Sequence, residues 1–274
     1  MSAEAEPSRA RAIESLLAFW ADGGVDAMLS ETAEDRIAAG ALRVPVRQVA
    51  PSAVATPRKT APATANISAM VEAARALAAA APDLATLATA ISGFEGCPLR
   101  FEGAATQAVV YRGNPTAPVL VIGEGPGAEE DAQGAPFVGR SGKLLDRMFT
   151  AAGLEGRVLI TNTVFWRPPG NRDPTPAEQA ACLPFLERII ALTQPHLLLL
   201  VGGASAKSLL KREEGILALR GRWHDWTSTD GAQTVPALPT LHPAFLLRQP
   251  AAKKRAWSDL LTLTERLDPQ GPGP

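Results

Sequence analysis

The chain has 274 residues, of which 46% are hydrophobic and 20% charged, and its net charge is −1. That length and apolar content suit one large domain or one domain plus an appendage, while the near-neutral balance excludes a strongly cationic surface of the kind that coats nucleic acid. Apolar runs stay short of the ~18 residues needed to cross a bilayer, and the two cysteines, Cys97 and Cys182, are too few for a disulfide scaffold and suit a reducing cytoplasm.

The N-terminus, MSAEAEPSRAR, is polar and lacks the apolar core of a secretory signal. Ile13, Leu16, Leu17, Phe19 and Trp20 recur at helical spacing and predict a helix over 8–22, closed by Gly23-Gly24, with a second short helix over 25–39. Residues 1–40 thus read as a helical N-terminal segment, and residues 41–66, rich in Ala, Pro and Thr, as a flexible linker. From 67 to 274 the pattern is that of an α/β domain. An Ala-rich amphipathic helix is expected over 67–92, followed by a turn, Gly93-Phe94-Glu95-Gly96-Cys97-Pro98-Leu99. A strand over 118–123 leads through a glycine turn and an acidic loop to a helix over 141–153, then a strand over 157–162 and a Pro/Gly-rich loop from Trp166 to Pro174. The next helix has a clear start, with Thr175 as N-cap, Pro176 at the first position and Glu178 closing a capping box, and runs to about Thr193. A buried strand over 196–201, a short helix through Leu210, a strand pair near 222–226 and 234–239, a loop over 241–248 and a closing helix over 251–267 complete the domain. This alternation predicts a mainly parallel central sheet with helices on both faces. Charge is uneven along the chain, with net −3 over residues 1–96 and +2 over 97–274, which leaves room for a local basic rim.

The chain is organised around PVLVIGEGPGAEEDAQGAPFVGRSGKLLD, residues 118–146. An apolar strand breaks into Gly123-Glu124-Gly125-Pro126-Gly127, and strand–turn–helix junctions of this kind hold ligands at the carboxyl ends of strands in α/β proteins. The turn is neither a dinucleotide fingerprint nor a P-loop, because Pro126 removes an amide where a phosphate cradle needs donors and no Gly-Lys-Ser/Thr follows. On pattern alone a plain structural turn and a nucleotide or base pocket both fit. Glu124, Asn162 and His242 each stand just past an apolar run, and in a parallel sheet such positions share one edge. Singly, each has an ordinary reading: a solvated turn carboxylate, a strand-end Asn, a loop histidine.

GEGPGAEEDAQGAPFVGRSGKLLD, TNTVFWRPPGNRDPTPAEQAACLPFLERII and LHPAFLLR together resemble family 4 of the uracil-DNA glycosylase superfamily, over about residues 94–266. The resemblance implies a uracil-DNA glycosylase-like fold and base excision: a deoxyuridine is extruded from DNA and its N-glycosidic bond hydrolysed. It implies that Glu124 positions the attacking water and stabilises the sugar cation, and that His242 donates to uracil O2 as charge develops there. Asn162 would read the O4 and N3–H edge of the base. Phe137 would stack on it, and Gly123, Gly125 and Gly127 would allow close backbone approach. Leu246, Leu247 and Arg248 would supply the wedge and minor-groove contact. Arg140, Lys143, Arg167 and Arg172 are candidates for phosphate contacts, and Ser205 for a phosphate site at a helix start.

The chain departs from the family at the cofactor. Four cysteines usually hold a [4Fe–4S] cluster there, whereas here Phe94 and Trp166 stand at two of those places and only Cys97 and Cys182 remain. No cofactor and no metal are therefore expected; a retained cluster is the alternative. The expected partner is uracil-containing DNA, with no membrane, a monomeric state, a cytoplasmic and nucleoid location, and a protein partner open for residues 1–40. The alternative function is a non-catalytic protein of the same fold that binds uracil or abasic DNA. A nucleotide-binding enzyme is disfavoured by the missing G-x-G-x-x-G.

Overall fold

A computed structural model describes residues 67–102 and 104–268, so the helices expected over 8–22 and 25–39 and the linker over 41–66 lie outside the described residues. The region expected as one helix over 67–92 is two helices, α1 (Ile67–Ala80) and α2 (Leu84–Gly93). Pro82 cannot continue the first, and Asp83 caps the second by accepting the Thr86 amide at 2.7 Å.

The sheet has six strands in the order β1-β3-β2-β4-β6-β5. They are β1 (Tyr111–Gly113), β2 (Val119–Gly123), β3 (Val158–Asn162), β4 (Leu197–Val201), β5 (His224–Thr227) and β6 (Thr234–Thr240). The four inner strands run parallel, and the two edge strands are antiparallel to their neighbours. Every residue of β2, β3 and β4 is buried, as expected of strands covered on both faces. Their side chains alternate: Leu120, Ile122, Leu159, Leu198 and Leu200 join the core on one face, and Val119, Val121, Val158, Ile160, Leu197 and Leu199 the core on the other.

The strands are connected by α3 (Ala128–Gln133), α4 (Arg140–Ala151), α5 (Pro176–Thr193), α6 (Gly203–Leu210) and α7 (Ile216–Leu219), and α8 (Pro243–Arg248) and α9 (Lys253–Leu267) follow the last strand. The mainly parallel α/β architecture is as the sequence predicts, and the α5 capping box forms: the Glu178 amide donates to Thr175 Oγ1 at 3.3 Å and Glu178 Oε2 accepts the Thr175 amide at 2.7 Å. Two segments expected as loops are helical. The acidic stretch after Gly127 forms α3, with three carboxylates in its first turn where the helix dipole favours them. Residues 243–248 form α8, with Pro243 at the first position, where a missing amide costs nothing.

The closing helix is fixed through a buried acid. Asp259 on α9 accepts from Thr240 Oγ1 at 2.6 Å and is paired with Arg220, so α9 is tied to the end of β6. No described helix is long and apolar enough to cross a membrane.

Candidate active site

The parallel registers bring the predicted strand ends to one edge. Gly123 lies opposite Asn162, Leu200 and Val201 lie opposite Pro239 and Thr240, and the chain leaves β6 through Leu241 to His242. A cavity of about 560 Å³ opens at this edge, lined by Glu124, Phe137, Asp173, His242, Phe245 and Arg248 among others.

Glu124 follows β2, and its backbone is held by β3: its carbonyl accepts from Thr163 Oγ1 at 2.6 Å and from the Val164 amide at 3.3 Å. The half-buried carboxyl is pushed up to about 7, first by burial and then by its hydrogen bond with Asp173 and the charge there. No salt bridge to Glu124 forms among the described residues. It is thus poised to change protonation near neutrality.

Asn162 is 1% exposed, and neither atom of its carboxamide has a hydrogen-bond partner. A buried amide left unpaired costs about 1–3 kcal/mol per group, and such exceptions mark functional sites. A methyl placed on Gly123 would lie 2.5 Å from Asn162 Oδ1 and 2.5 Å from the Phe137 ring, so glycine is required where these two groups meet.

Phe137 has a left-handed backbone, φ 55, which an aromatic residue adopts only when its surroundings enforce it. The enforcement comes from β1. Arg112 Nε donates to Pro136 O at 2.5 Å, and its Nη2 donates to Phe137 O at 3.0 Å and to Asp146 at 2.7 Å. A second clamp is Glu130 on α3, whose two carboxylate oxygens accept the amides of Gly127 at 3.2 Å and Gly139 at 2.9 Å. One side chain therefore ties the glycine turn to the Phe137 loop.

His242 caps α8. Its Nδ1 accepts the Ala244 amide at 3.2 Å, which leaves Nε2 to carry the proton of the neutral ring. Burial, and then the positive charge of Arg248, push its pKa down to about 4, against an opposing pull from Glu130. The ring is a neutral donor at physiological pH. It packs 5.6 Å from the Phe137 ring, centroid to centroid, and crowds Gly202, whose φ of 101 favours glycine and where a methyl would come within 3.2 Å of the His242 Cβ.

The remaining site expectations divide. Arg140 and Lys143 are exposed on the first turn of α4, Arg167 Nε donates to Asn171 at 2.7 Å, and Leu247 is 39% exposed. The guanidinium of Arg172 is already engaged, with both oxygens of Glu178 at 2.9 and 2.6 Å and with Glu102 at 3.1 Å. Two expectations fail. Ser205 is 0% exposed and donates its hydroxyl to Ile122 O at 2.7 Å, so it packs α6 on the sheet and offers nothing to a phosphate. Leu246 is likewise 0% exposed, in a cluster with Leu241 and Ala256, and is core rather than wedge. Sequence reading missed Arg112, Glu130, Asp173 and Phe245. Only Glu130 carried a signal, the three-residue spacing from Gly127 that marks a helix cap.

The residues present do not fit a four-thiolate cluster. Cys97 and Cys182 are fully buried with their sulfurs 3.9 Å apart, and burial raises the Cys182 thiol pKa. Phe94 and Trp166 are buried in the same core, where Phe94 meets Phe185 edge to face at 5.1 Å and Phe165 meets Trp166 at 6.3 Å. Among the described residues no group of three or more His, Cys, Asp or Glu side chains could hold a metal, and two thiols cannot fill a four-thiolate site.

A profile of the uracil DNA glycosylase superfamily matches residues 110–261. Among curated proteins, a type-4 uracil-DNA glycosylase of Thermotoga maritima is 40% identical over 154 residues, covering 56% of this chain and 77% of that protein. Type-4 uracil-DNA glycosylases of Saccharolobus solfataricus and Pyrobaculum aerophilum are 39% and 37% identical; the matches cover 58% and 65% of this chain and 76% and 91% of theirs. With the family pattern spread over the sheet, the glycine turn and both other strand-end motifs, the chain belongs to the uracil DNA glycosylase superfamily.

Proposed function

We propose that this protein is a monofunctional uracil-DNA glycosylase of base excision repair, which flips uracil from DNA and hydrolyses its N-glycosidic bond to leave an abasic site. The observation that carries the reading is the orphaned carboxamide of Asn162, buried beside Phe137 at the edge that also holds Glu124 and a neutral His242. Uracil offers an acceptor at O4 and a donor at N3–H, the complement of that amide, while cytosine presents the reverse polarity there. The Phe137 ring yields as the base enters, then stacks on it.

As the C1′–N1 bond lengthens, positive charge grows on the sugar and negative charge on uracil. His242 Nε2–H donates to O2, and because the ring is neutral and its tautomer is set by the Ala244 amide, it needs no reorganisation. Glu124 as carboxylate stabilises the sugar cation and takes a proton from the attacking water. Among the described residues no lysine lines the cavity, so Schiff-base chemistry is absent from the reading. Outside the cavity, Arg140, Lys143 and Arg167 contact DNA phosphates; Arg248, which lines the cavity, reaches the minor groove, Leu247 fills the gap left by the flipped base, and the protein works as a cytoplasmic monomer at the nucleoid.

The test is release of free uracil from a U:G duplex in single turnover. Release supports the enzyme; a mobility shift without release returns the binding-protein reading. The cofactor reading is separate: Phe94 and Trp166 take the place of a cluster, and the protein is active without iron. Anaerobically purified protein is expected to lack iron, sulfide and visible absorbance, and stoichiometric iron would overturn that expectation.

A further inference from the structure

The cavity holds a second carboxyl group that the reaction as described does not use. Asp173 lies on the loop before α5 and lines the same cavity as Glu124, whose carboxyl it helps to push up. Its neighbour Arg172 could neutralise it but does not, because that guanidinium is spent on Glu178, on Glu102 and on the backbone carbonyl of Asp173 itself at 3.0 Å. The same bonds fix the position of Asp173, and Pro174 and the Thr175 cap restrict the chain after it. Glu124 is half-buried while Asp173 is exposed.

The other charged or titratable groups that face the cavity are Glu130 on α3, Arg172 on the same loop, and His242 and Arg248 at α8. Glu130 is spent on two backbone amides, Arg172 is tied away, and Arg248 bears on His242. Among the described residues no salt bridge engages Glu124 or Asp173. Two carboxyl groups facing one cavity favour sharing a proton, so that both ionise only at higher pH.

We propose that Asp173 is a positioning residue for Glu124: the two carboxyls share one proton, and Asp173 passes to solvent the proton that the attacking water surrenders. This rests on the glycosylase reading above. Water oxygen bonds to C1′ and the C1′–N1 bond breaks with its electron pair on uracil. The water proton enters the carboxyl pair and leaves through the exposed Asp173. The raised value of Glu124 agrees with this arrangement. His242 titrates too low to account for an acidic limit near neutrality, so that limit belongs to the pair.

The test is carboxyl titration by ¹³C NMR in the wild type and in Asp173→Asn, with Glu124→Gln to assign the signal, alongside single-turnover rates at pH 6 and pH 8. The wild-type Glu124 signal is expected to titrate near 7. Asp173→Asn removes the like charge and supplies an amide donor, so the midpoint should fall by about one unit or more. The rate should drop about tenfold between pH 8 and pH 6 in the wild type and less than about threefold in Asp173→Asn, each relative to its own plateau, and Asp173→Glu should restore the wild-type profile. A Glu124 midpoint unmoved in Asp173→Asn overturns the proposal. The titration needs no turnover, so absence of uracil release in the wild type would count against the glycosylase reading and leave the carboxyl pair to be decided by NMR.

Discussion

Glu124→Gln is expected to release uracil from a U:G duplex about 10²–10³ times more slowly than the wild type in single turnover, while unfolding at a higher temperature at pH 8. The loss follows from the charge. Glutamine keeps the shape and the tethers of the Glu124 carbonyl to Thr163 and Val164 but cannot balance a sugar cation or take a proton. The gain follows from linkage. The folded-state value of Glu124, about 7, lies above the ordinary 4.5, so between those values the folded chain holds a proton that the unfolded chain has lost. Stability therefore falls as pH rises across that window, and the full cost is present above it. Removing the carboxyl recovers about 1–2 kcal/mol at pH 8, after allowance for solvent screening of a half-buried group, and nothing near pH 4. His242→Ala should lose a similar factor in rate, since the donor to O2 is gone. Melting curves at two pH values and quench-flow release check both parts; a Gln variant that keeps more than a tenth of the wild-type rate would remove Glu124 from the chemistry.

Gly142→Ala should damage the pocket from outside it. A methyl on Gly142 would lie 1.6 Å from the carbonyl oxygen of Phe137 and 2.1 Å from its carbonyl carbon, a clash with backbone that no rotamer relieves. The helix must shift or the Phe137 loop must lift, and lifting it breaks the two bonds from Arg112 to Pro136 and Phe137. A destabilisation of about 2–4 kcal/mol is expected in urea unfolding, with a loss of about 10²-fold or more in uracil release because the stacking surface is misplaced. Arg140→Ala, two positions away on the exposed side of α4, should leave urea stability within about 0.5 kcal/mol. If Gly142→Ala folds and reacts like the wild type, the Phe137 loop is not the floor of the base site.

How much of this was legible in the sequence depended on the range of the interaction involved. Glu124, Asn162 and His242 could be placed together because parallel strands carry their C-terminal ends to one edge, and apolar runs mark those ends. The α5 start was legible because a capping box is local. The break at Pro82 was overlooked because the apolar spacing of α1 continues into α2, and the periodicity outweighed a proline that the cap at Asp83 turns into a new start. Residues 128–133 read as an acidic loop because their carboxylates suit a helix only at its first turn. Ser205 and Leu246 read as surface groups, the one from its place at a helix start and the other from its place just after His242, but both point into the core. Arg112 and Asp173 gave no signal, since their partners are backbone carbonyls and a carboxyl on other loops.

The Glu130 carboxylate has a mechanical consequence. By holding the amides of Gly127 and Gly139 at once, it joins the turn after Glu124 to the loop that carries Phe137. Gly127 of the turn and Phe137 of the loop both line the cavity. Coupled in this way, they cannot gape independently: a displacement of the aromatic ring is transmitted to the turn that orients the catalytic carboxylate. In the glycosylase proposed above, entry of the base and alignment of the carboxylate would then be a single motion.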